Sequence, residues 1–231
     1  MTTEMSISPR ERGKLERRRR IRQAALEMFI EKGYDTTTTR EIAERANVGT
    51  GTVFVYARDK RELLMMVMND QLDALTDEEL DEVEPGKSLL DQMMVFFAKR
   101  YQFWAINPEL SRCAVRETFS YVKDSDELGP EILAFLARLP RQRIKLGHLI
   151  RQRQKLDCLR TDLDPDMVAD MCMAIYLNEL RHWLANRSLD LAGGLARLKS
   201  LLQLALTGME LATSTRPRDR RAGKVSPVTV G

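Results

Sequence analysis

Residues 38–56 constrain the fold of this chain most strongly, because they predict two short helices joined by a tight turn. Thr38 followed by Glu41 has the pattern of a capping box, which marks the start of a helix expected over residues 40–46. Asn47 tolerates the left-handed backbone conformation that ends a helix and redirects the chain. A second short helix is expected over residues 50–56, so this stretch predicts a helix-turn-helix hairpin.

The rest of the chain carries apolar residues at helical spacing, and it shows no strand-like alternation of any length. A helix that ends near Lys32 precedes the hairpin, and Asp59 with Glu62 predicts a second capping box after it. Further helices are expected over residues 88–106, 109–122, 130–155, 165–186 and 189–212. The sequence therefore predicts an all-α protein, in which an N-terminal three-helix helix-turn-helix domain is followed by a helical bundle.

Composition divides the chain into regions. Residues 1–14 lack apolar periodicity and predict a flexible basic arm, and residues 15–75 hold the helix-turn-helix domain. An acidic segment, residues 76–86, predicts a linker to a helical domain over residues 87–212. Residues 213–231 are rich in Arg, Pro, Ser and Gly and predict a disordered tail. No apolar run reaches the roughly 18 residues of a membrane span, and the N-terminus lacks a signal peptide, so we expect a cytoplasmic protein without membrane contact.

The sequence patterns of enzymes and metal proteins are missing. The two histidines, His148 and His182, are far apart, and there is no Ser-His-Asp arrangement, Gly-rich phosphate loop or HExxH motif. The three cysteines form no CxxC pair and no metal-ligand cluster. We therefore expect no enzymatic activity, no metal site and no cofactor.

Basic residues gather immediately before the predicted hairpin. Residues 10–22 hold eight Arg or Lys side chains against Glu11 and Glu16, a pattern typical of a nucleic-acid footprint and also of a solvated helix start. The second hairpin helix begins with the small residues Thr50, Gly51 and Thr52, which let the backbone approach DNA closely. These features together indicate a DNA-binding module whose second helix enters the major groove.

The order and spacing of residues 21–64 resemble the TetR family of bacterial transcription regulators. The matching segments are IRQAALEMF at 21–29, KGYD at 32–35, TTREIA at 38–43, ANV at 46–48, GTVF at 51–54 and DKRELL at 59–64. Three positions depart from the family pattern. Gly49 replaces a common capping serine, Phe54 replaces a tyrosine, and Ala57 replaces a phenylalanine. The rest of the chain matches the family only in length and helical character.

The resemblance implies roles for eight residues in DNA binding. Thr39, Tyr56 and Lys60 match positions that contact phosphates, and Arg40 matches a position that reaches a base in some members. Thr50, Gly51, Thr52 and Val55 match positions that face the groove. From the sequence alone, Tyr56 also fits a core aromatic position.

The resemblance further implies that the C-terminal region binds a small effector and forms the dimer. The expected partners are a palindromic double-stranded DNA operator, a second copy of the chain and an unidentified small-molecule effector. The expected function is a transcription repressor that its effector releases from the operator. A ligand-responsive activator and a helical adaptor that acts through protein contacts are the alternatives.

Two features of the C-terminal region support these expectations without a specific motif. Candidate pocket residues, chosen as aromatic or polar side chains on the predicted helices, are Phe103, Trp104, Arg116, Tyr121, Asn178 and His182. A leucine stripe in residues 189–212 fits either a helix packed in its own core or half of a four-helix dimer seam shared with residues 165–186.

Overall fold

A computed structural model describes residues 8–75, 78–119, 128–156 and 159–207 of the chain. These residues form ten α-helices and one 3₁₀ turn, with no strand among them, which confirms the all-α class. The helices are α1 Pro9–Lys32, α2 Thr39–Arg45, α3 Thr50–Tyr56, α4 Lys60–Asp73, α5 Leu89–Ile106, α6 Pro108–Phe119, α7 Pro130–Leu136, α8 Arg138–Lys155, α9 Pro165–Leu184 and α10 Leu191–Thr207. Within the described ranges, every helix is too short or too polar to cross a membrane.

Helices α1 to α4 share one apolar core. Each helix contributes side chains at three- and four-residue spacing, such as Ile21 of α1, Ile42 of α2, Val53 of α3 and Leu63 of α4, and all four are fully buried. Burial of each such side chain contributes roughly 1.5–3 kcal/mol. Because α3 is short, its attachment to this core depends mainly on Val53, which fixes the direction of the opposite face.

The start of α1 lies within the segment that we expected to be a flexible arm. Ser8 accepts a hydrogen bond from the Glu11 backbone N–H, and the Ser8 N–H donates to the Glu11 carboxylate, which forms a complete capping box. Pro9 at the first helical position has its backbone angle set for a helix. Residues 9–14 are therefore helical, and residues 1–7 lie outside the described part of the chain.

The single helix expected over residues 130–155 is wrong, because two helices, α7 and α8, meet at Ala137. Pro140 lacks an N–H, and its ring crowds the carbonyl four residues earlier, at Leu136. A continuous helix would need a hydrogen bond from the N–H of residue 140 to the carbonyl of Leu136, and proline at position 140 prevents it. The break makes α7 a short separate element whose position is set by its neighbours.

The acidic segment expected to be a linker packs against the C-terminal helices. Residues Glu78–Leu80 form the 3₁₀ turn, and Leu80 is fully buried. The side chain of Gln92 donates to the carbonyl of Glu82, and the backbone N–H of Val83 donates to Gln152. This segment therefore belongs to the folded C-terminal region.

Helices α5, α8, α9 and α10 form the body of that region around a cluster of aromatic rings. Phe97 stacks on Tyr176 with ring centroids 4.6 Å apart, and Tyr101 lies 4.7 Å from Trp183. Trp104 donates its indole N–H to the hydroxyl of Tyr176 at 3.2 Å. Burial raises the pKa of Tyr176 to about 12, so this hydroxyl stays neutral. The cluster joins α5 to α9 across the bundle.

Candidate nucleic-acid interface

The angle between α2 and α3 is set by local contacts that the sequence predicted. Thr38 and Glu41 form the expected capping box, and Asn47 has the expected positive φ of 52°. The Lys32 ammonium, followed by the Thr38 hydroxyl and N–H, lowers the pKa of Glu41 to about 2, so its carboxylate stays ionised. The buried side chain of Ala46 then holds the turn against the core. The hairpin is thus a rigid support for α3.

The outward face of α3 carries small or apolar side chains. Gly51 and Val55 are exposed, and Val55 retains 75% of its accessible surface. A Cβ atom added at Gly51 would meet nothing within 4 Å, so packing within the described chain does not require glycine there. Thr50 and Thr52 are half-buried beside it, and Gly49 caps the helix without a side-chain hydrogen bond. Four of the eight predicted DNA-contact residues lie on α3, and two lie in the first turn of α2, which packs against α3: Thr50, Gly51, Thr52 and Val55, and Thr39 and Arg40.

The start of α2 lies beside α3 and presents a long cation. Thr39 is half-buried at the first helical position, whereas the Arg40 side chain is 82% exposed. Arg40 makes one ion pair, Nε to Oε1 of Glu44 at 3.1 Å. An exposed pair of this kind contributes about 0–1 kcal/mol. The guanidinium is therefore able to exchange Glu44 for another acceptor.

Tyr56 closes the other end of α3 against the start of α1. Its hydroxyl donates to the carbonyl of Lys14 at 3.2 Å and accepts from Nε of Arg17 at 3.4 Å. A surface groove runs between the two helices and includes Arg10, Lys14 and Arg17. Its lining residues are Ser8, Arg10, Glu11, Lys14, Arg17, Val55 and Tyr56. Three cations therefore lie in or beside the groove that adjoins the open face of α3.

Sequence reasoning did not single out Arg10 and Lys14, although a signal was present. Residues 10, 14 and 17 continue the same three- and four-residue spacing that places Ile21 in the core. If the helix extends back to Pro9, this stripe turns these cations toward the end of α3. The capping box formed by Ser8 and Glu11 marks the start of the helix at Pro9.

Other cations of α1 are held by carboxylates elsewhere on the protein. Arg18 pairs with Glu131 of α7 at 2.5 Å, and Arg22 pairs with Asp70 of α4. Burial lowers the pKa of Arg22, and the neighbouring cations add to this effect. These two arginines therefore hold helices together on a side of α1 away from the groove.

Lys60 lies near the loop that follows α1. Its ammonium donates to the carbonyls of Tyr34 and Asp35, both at 2.9 Å, and lies 4.8 Å from the centre of the Tyr34 ring. The side chain is half-buried. Asp35 in turn pairs with Arg116 of α6 at 2.8 Å, which joins this loop to the C-terminal region.

A cavity of about 270 Å³ lies between α5, α6, α7, α8 and α9 of the C-terminal region, and Leu72 of α4 also lines it. Its wall is mainly apolar and includes Trp104, Phe135, Leu136, Leu139, Tyr176 and Leu180. Arg100, Arg138 and Arg181 also reach it, and the described lining residues include no Asp or Glu. The described residues contain no cluster of His, Cys, Asp or Glu that could hold a metal ion.

The structure places Trp104 alone among the predicted pocket residues at this cavity. Asn178 and His182 are exposed because their positions on α9 face away from the bundle. Phe103 packs edge-on against Trp104 behind the wall, and Arg116 turns toward Asp35. Apart from Trp104, the predicted residues that the structure describes therefore do not line this cavity, and Tyr121 lies outside the described residues. No sequence signal identifies the wall of this cavity, because six separate helices supply it.

Known proteins resemble this chain most clearly in the region that holds the helix-turn-helix hairpin. The model of the "Bacterial regulatory proteins, tetR family" matches residues 21–66. The HTH-type transcriptional regulator HbdR of Aromatoleum sp. is 41% identical over 63 residues, which are 27% of this chain and 28% of that protein. The HTH-type transcriptional repressor KstR of Rhodococcus jostii is 26% identical over 177 residues, which cover 75% of each protein.

A solved structure extends the likeness to the whole described fold. The Thermus thermophilus FadR repressor, solved in complex with lauroyl-CoA, has a TM-score of 0.62 and 23% identity over 87% of this chain and 98% of that one. At this identity the likeness shows the fold. With the helix-turn-helix geometry and the family match to residues 21–66, it leads to one conclusion: residues 21–66 form a DNA-binding domain of the type found in the TetR family of bacterial regulatory proteins, and the chain resembles DNA-binding transcription regulators in sequence and fold.

Proposed function

We propose that this protein is a dimeric transcription repressor that places α3 in the major groove of its operator and leaves the DNA when an effector occupies the cavity. The observation that carries the proposal is the open face of α3, which lies beside a groove lined by three cations. Small side chains let a helix approach base edges, and cations beside them neutralise phosphates. A cytoplasmic location follows from the DNA that such a repressor binds.

Individual roles follow from position. The residues of α3 that face the major groove of the DNA are Thr50, Gly51, Thr52 and Val55. Arg40 reaches a guanine edge after its ion pair with Glu44 breaks. Thr39, Tyr56 and Lys60 contact phosphates. For Lys60 this requires the ammonium to share its two carbonyl partners with a phosphate oxygen. Residues that contact phosphates fix the register, whereas residues that contact bases select the sequence.

A homodimer is proposed from the outer surfaces of α9 and α10. Leu198, Leu202 and Leu206 of α10 are buried in the chain's own core, which accounts for part of the leucine stripe. Met167 of α9 and Leu204 of α10 are 70% and 75% exposed. A four-helix seam between two copies would cover such side chains. Two-fold symmetry then predicts an operator with two inverted half-sites.

The cavity supports a small effector with an apolar body and a negative charge. The apolar wall favours a hydrocarbon portion. Three arginines and no acidic residue among the described lining favour an anion over a cation. The FadR structure holds lauroyl-CoA, an anionic acyl thioester. A helical adaptor, by contrast, requires no pocket and no ligand-dependent release of DNA.

The first prediction concerns the open face of α3. Gly51→Ala should keep or raise stability by up to about 1 kcal/mol, because alanine favours a helix and space is available. Gly51→Leu should weaken operator binding at least about tenfold, or 1.4 kcal/mol, because the side chain occupies the space of the DNA backbone or bases. Ala134→Leu, at an exposed helical position, is the matched control. Denaturant unfolding and fluorescence anisotropy measure the two effects, and unaltered DNA binding by Gly51→Leu would contradict the assignment of this face.

The second prediction concerns the groove between α1 and α3. Arg10→Ala and Lys14→Ala should each reduce the slope of log affinity against log salt concentration by about 0.9 if each cation contacts one phosphate. Arg22→Ala removes the same charge from the same helix. Because Arg22 is paired with Asp70, the slope for this variant should equal that of the wild type. Anisotropy titrations from low to moderate salt give the slopes. Equal slopes for all three variants and the wild type would place DNA elsewhere.

The third prediction concerns the effector. Laurate and lauroyl-CoA should bind the full chain and lower the fraction of it that is bound to DNA. Dodecyltrimethylammonium has a similar apolar chain but a positive charge, so it should have neither effect. Leu177→Trp, which fills the cavity wall, should weaken laurate binding at least about tenfold. Calorimetry and anisotropy measure binding and release. Equal release by the cation would refute the proposed anionic class, and absence of binding by either anion would refute the proposed effector.

A further inference from the structure

Glu62 is a buried carboxylate that links the two halves of the molecule. It lies in the first turn of α4 and is 1% exposed. The sequence predicts that it completes a capping box with Asp59. Asp59 does cap α4, but the Glu62 carboxylate instead accepts from the backbone N–H groups of Ile132, at 2.9 Å, and Glu131, at 3.4 Å. It therefore caps α7, whose own N-cap residue, Gly129, has no side chain to do so.

These two helices approach so closely that a side chain at residue 129 would displace the Glu62 carboxylate. A Cβ atom on Gly129 would lie 2.2 Å from the carboxyl carbon of Glu62. Burial raises the pKa of Glu62, and the N–H groups of Ile132 and Glu131 oppose that rise. The nearby carboxylates are those of Glu131 and Asp59. The contact is therefore tight, desolvated and dependent on the position of α7.

Two further residues hold α7 to the DNA-binding helices. Glu131 pairs with Arg18 of α1 at 2.5 Å, and Asn69 of α4 donates to both the carbonyl and the carboxylate of Glu131. Just beyond the end of α7, Arg138 donates to Asn69 and pairs with Asp73 of α4 at 2.6 Å. Both ends of this short helix are thus attached to α4.

The other side of α7 forms part of the cavity wall. Phe135 and Leu136 lie on that wall, together with Arg138 and Leu139 just after the helix. Ile132, whose N–H donates to Glu62, is buried one turn earlier. A molecule that moves Phe135 therefore moves the donors that satisfy Glu62.

We propose that Glu62 is a positioning residue that couples the position of α7 to that of α4, so that its hydrogen bonds to the start of α7 determine how strongly an occupant of the cavity affects DNA binding. The inference rests on the proposed effector site. When an occupant displaces α7, either α4 moves with it, so that Glu62 keeps its two donors, or the buried carboxylate loses them. Because the second outcome is unfavourable, α4 shifts, and α3 shifts with it through the shared core around Leu63 and Val53.

The main experiment compares the release of DNA by laurate in two variants of the full chain. The DNA is a duplex selected by the wild-type protein from a random pool. In the wild type, saturating laurate should lower DNA affinity by about 5–150-fold, the usual range of coupling between sites. We call this fold decrease in DNA affinity the release factor. Glu62→Ala should bind DNA alone and laurate alone with wild-type affinity, but it should lose most of the release factor. Glu62→Gln keeps an acceptor for the N–H of Ile132 and should retain most of the release factor.

Matched variants separate this coupling from a general loss of stability. Glu109→Gln removes an exposed carboxylate from α6 and should leave the release factor unaltered. If Glu62→Ala does not fold, Gly129→Ala tests the same contact, because its Cβ displaces the carboxylate from α7 while every residue of α4 stays native. An equal release factor in the wild type and in the folded Glu62→Ala or Gly129→Ala variant would overturn the proposal and leave the proposed effector site intact.

A ligand-free cycle decides the proposal if laurate does not bind or does not release the wild type. Leu177→Trp acts as a permanent occupant of the cavity, and its effect on DNA affinity is measured with and without Glu62→Ala. The proposed coupling predicts that Leu177→Trp weakens DNA binding in the wild-type background and has a much smaller effect beside Glu62→Ala. Additive effects, or no effect of Leu177→Trp alone, would overturn the proposed coupling, because distant positions that do not communicate behave independently.

Discussion

A buried carboxylate needs hydrogen-bond donors, and this requirement fixes how the two halves of the molecule meet. Glu62 finds its donors on α7, so the start of α4 and the start of α7 have one permitted separation. Gly129 allows that separation, and Arg18 and Asn69 hold Glu131 beside it. A second contact, between Arg116 of α6 and Asp35, joins the halves at the loop that also holds Lys60. The helices at both contacts, α6 and α7, also line the cavity.

The open face of α3 shows how few residues are needed to orient this helix. Val53 is fully buried, whereas Val55, two residues later, is largely exposed. The side chain that attaches α3 to the core therefore determines which residues are presented outward. The positive φ at Asn47 and the cap at Thr38 set the direction from which α3 leaves α2. Neither feature involves the C-terminal region, which is consistent with a family match confined to residues 21–66.

Local features were predictable from the sequence, and contacts between distant segments were not. The capping residues Thr38 and Asp59, the turn at Asn47 and the extent of α3 depend on neighbouring residues, and each agrees with the structure. The partner of Glu62 lies 70 residues away at Ile132, and competition between a local and a distant partner is invisible in a sequence pattern. Pro140 did signal the break after α7, but the apolar spacing around it suggested one helix. The cavity wall could not be predicted because it depends on how six helices pack.

In the proposed function, the open face of α3, presented twice by a symmetric dimer, reads a specific DNA sequence. Selection of bound duplexes from a random pool by the full-length chain, followed by footprinting of the enriched sequence, tests it most directly. We expect two inverted half-sites whose centres lie a whole number of helical turns apart, each protected in one major groove. Recovery of a single, unrepeated site, or no enrichment over the starting pool, would contradict it.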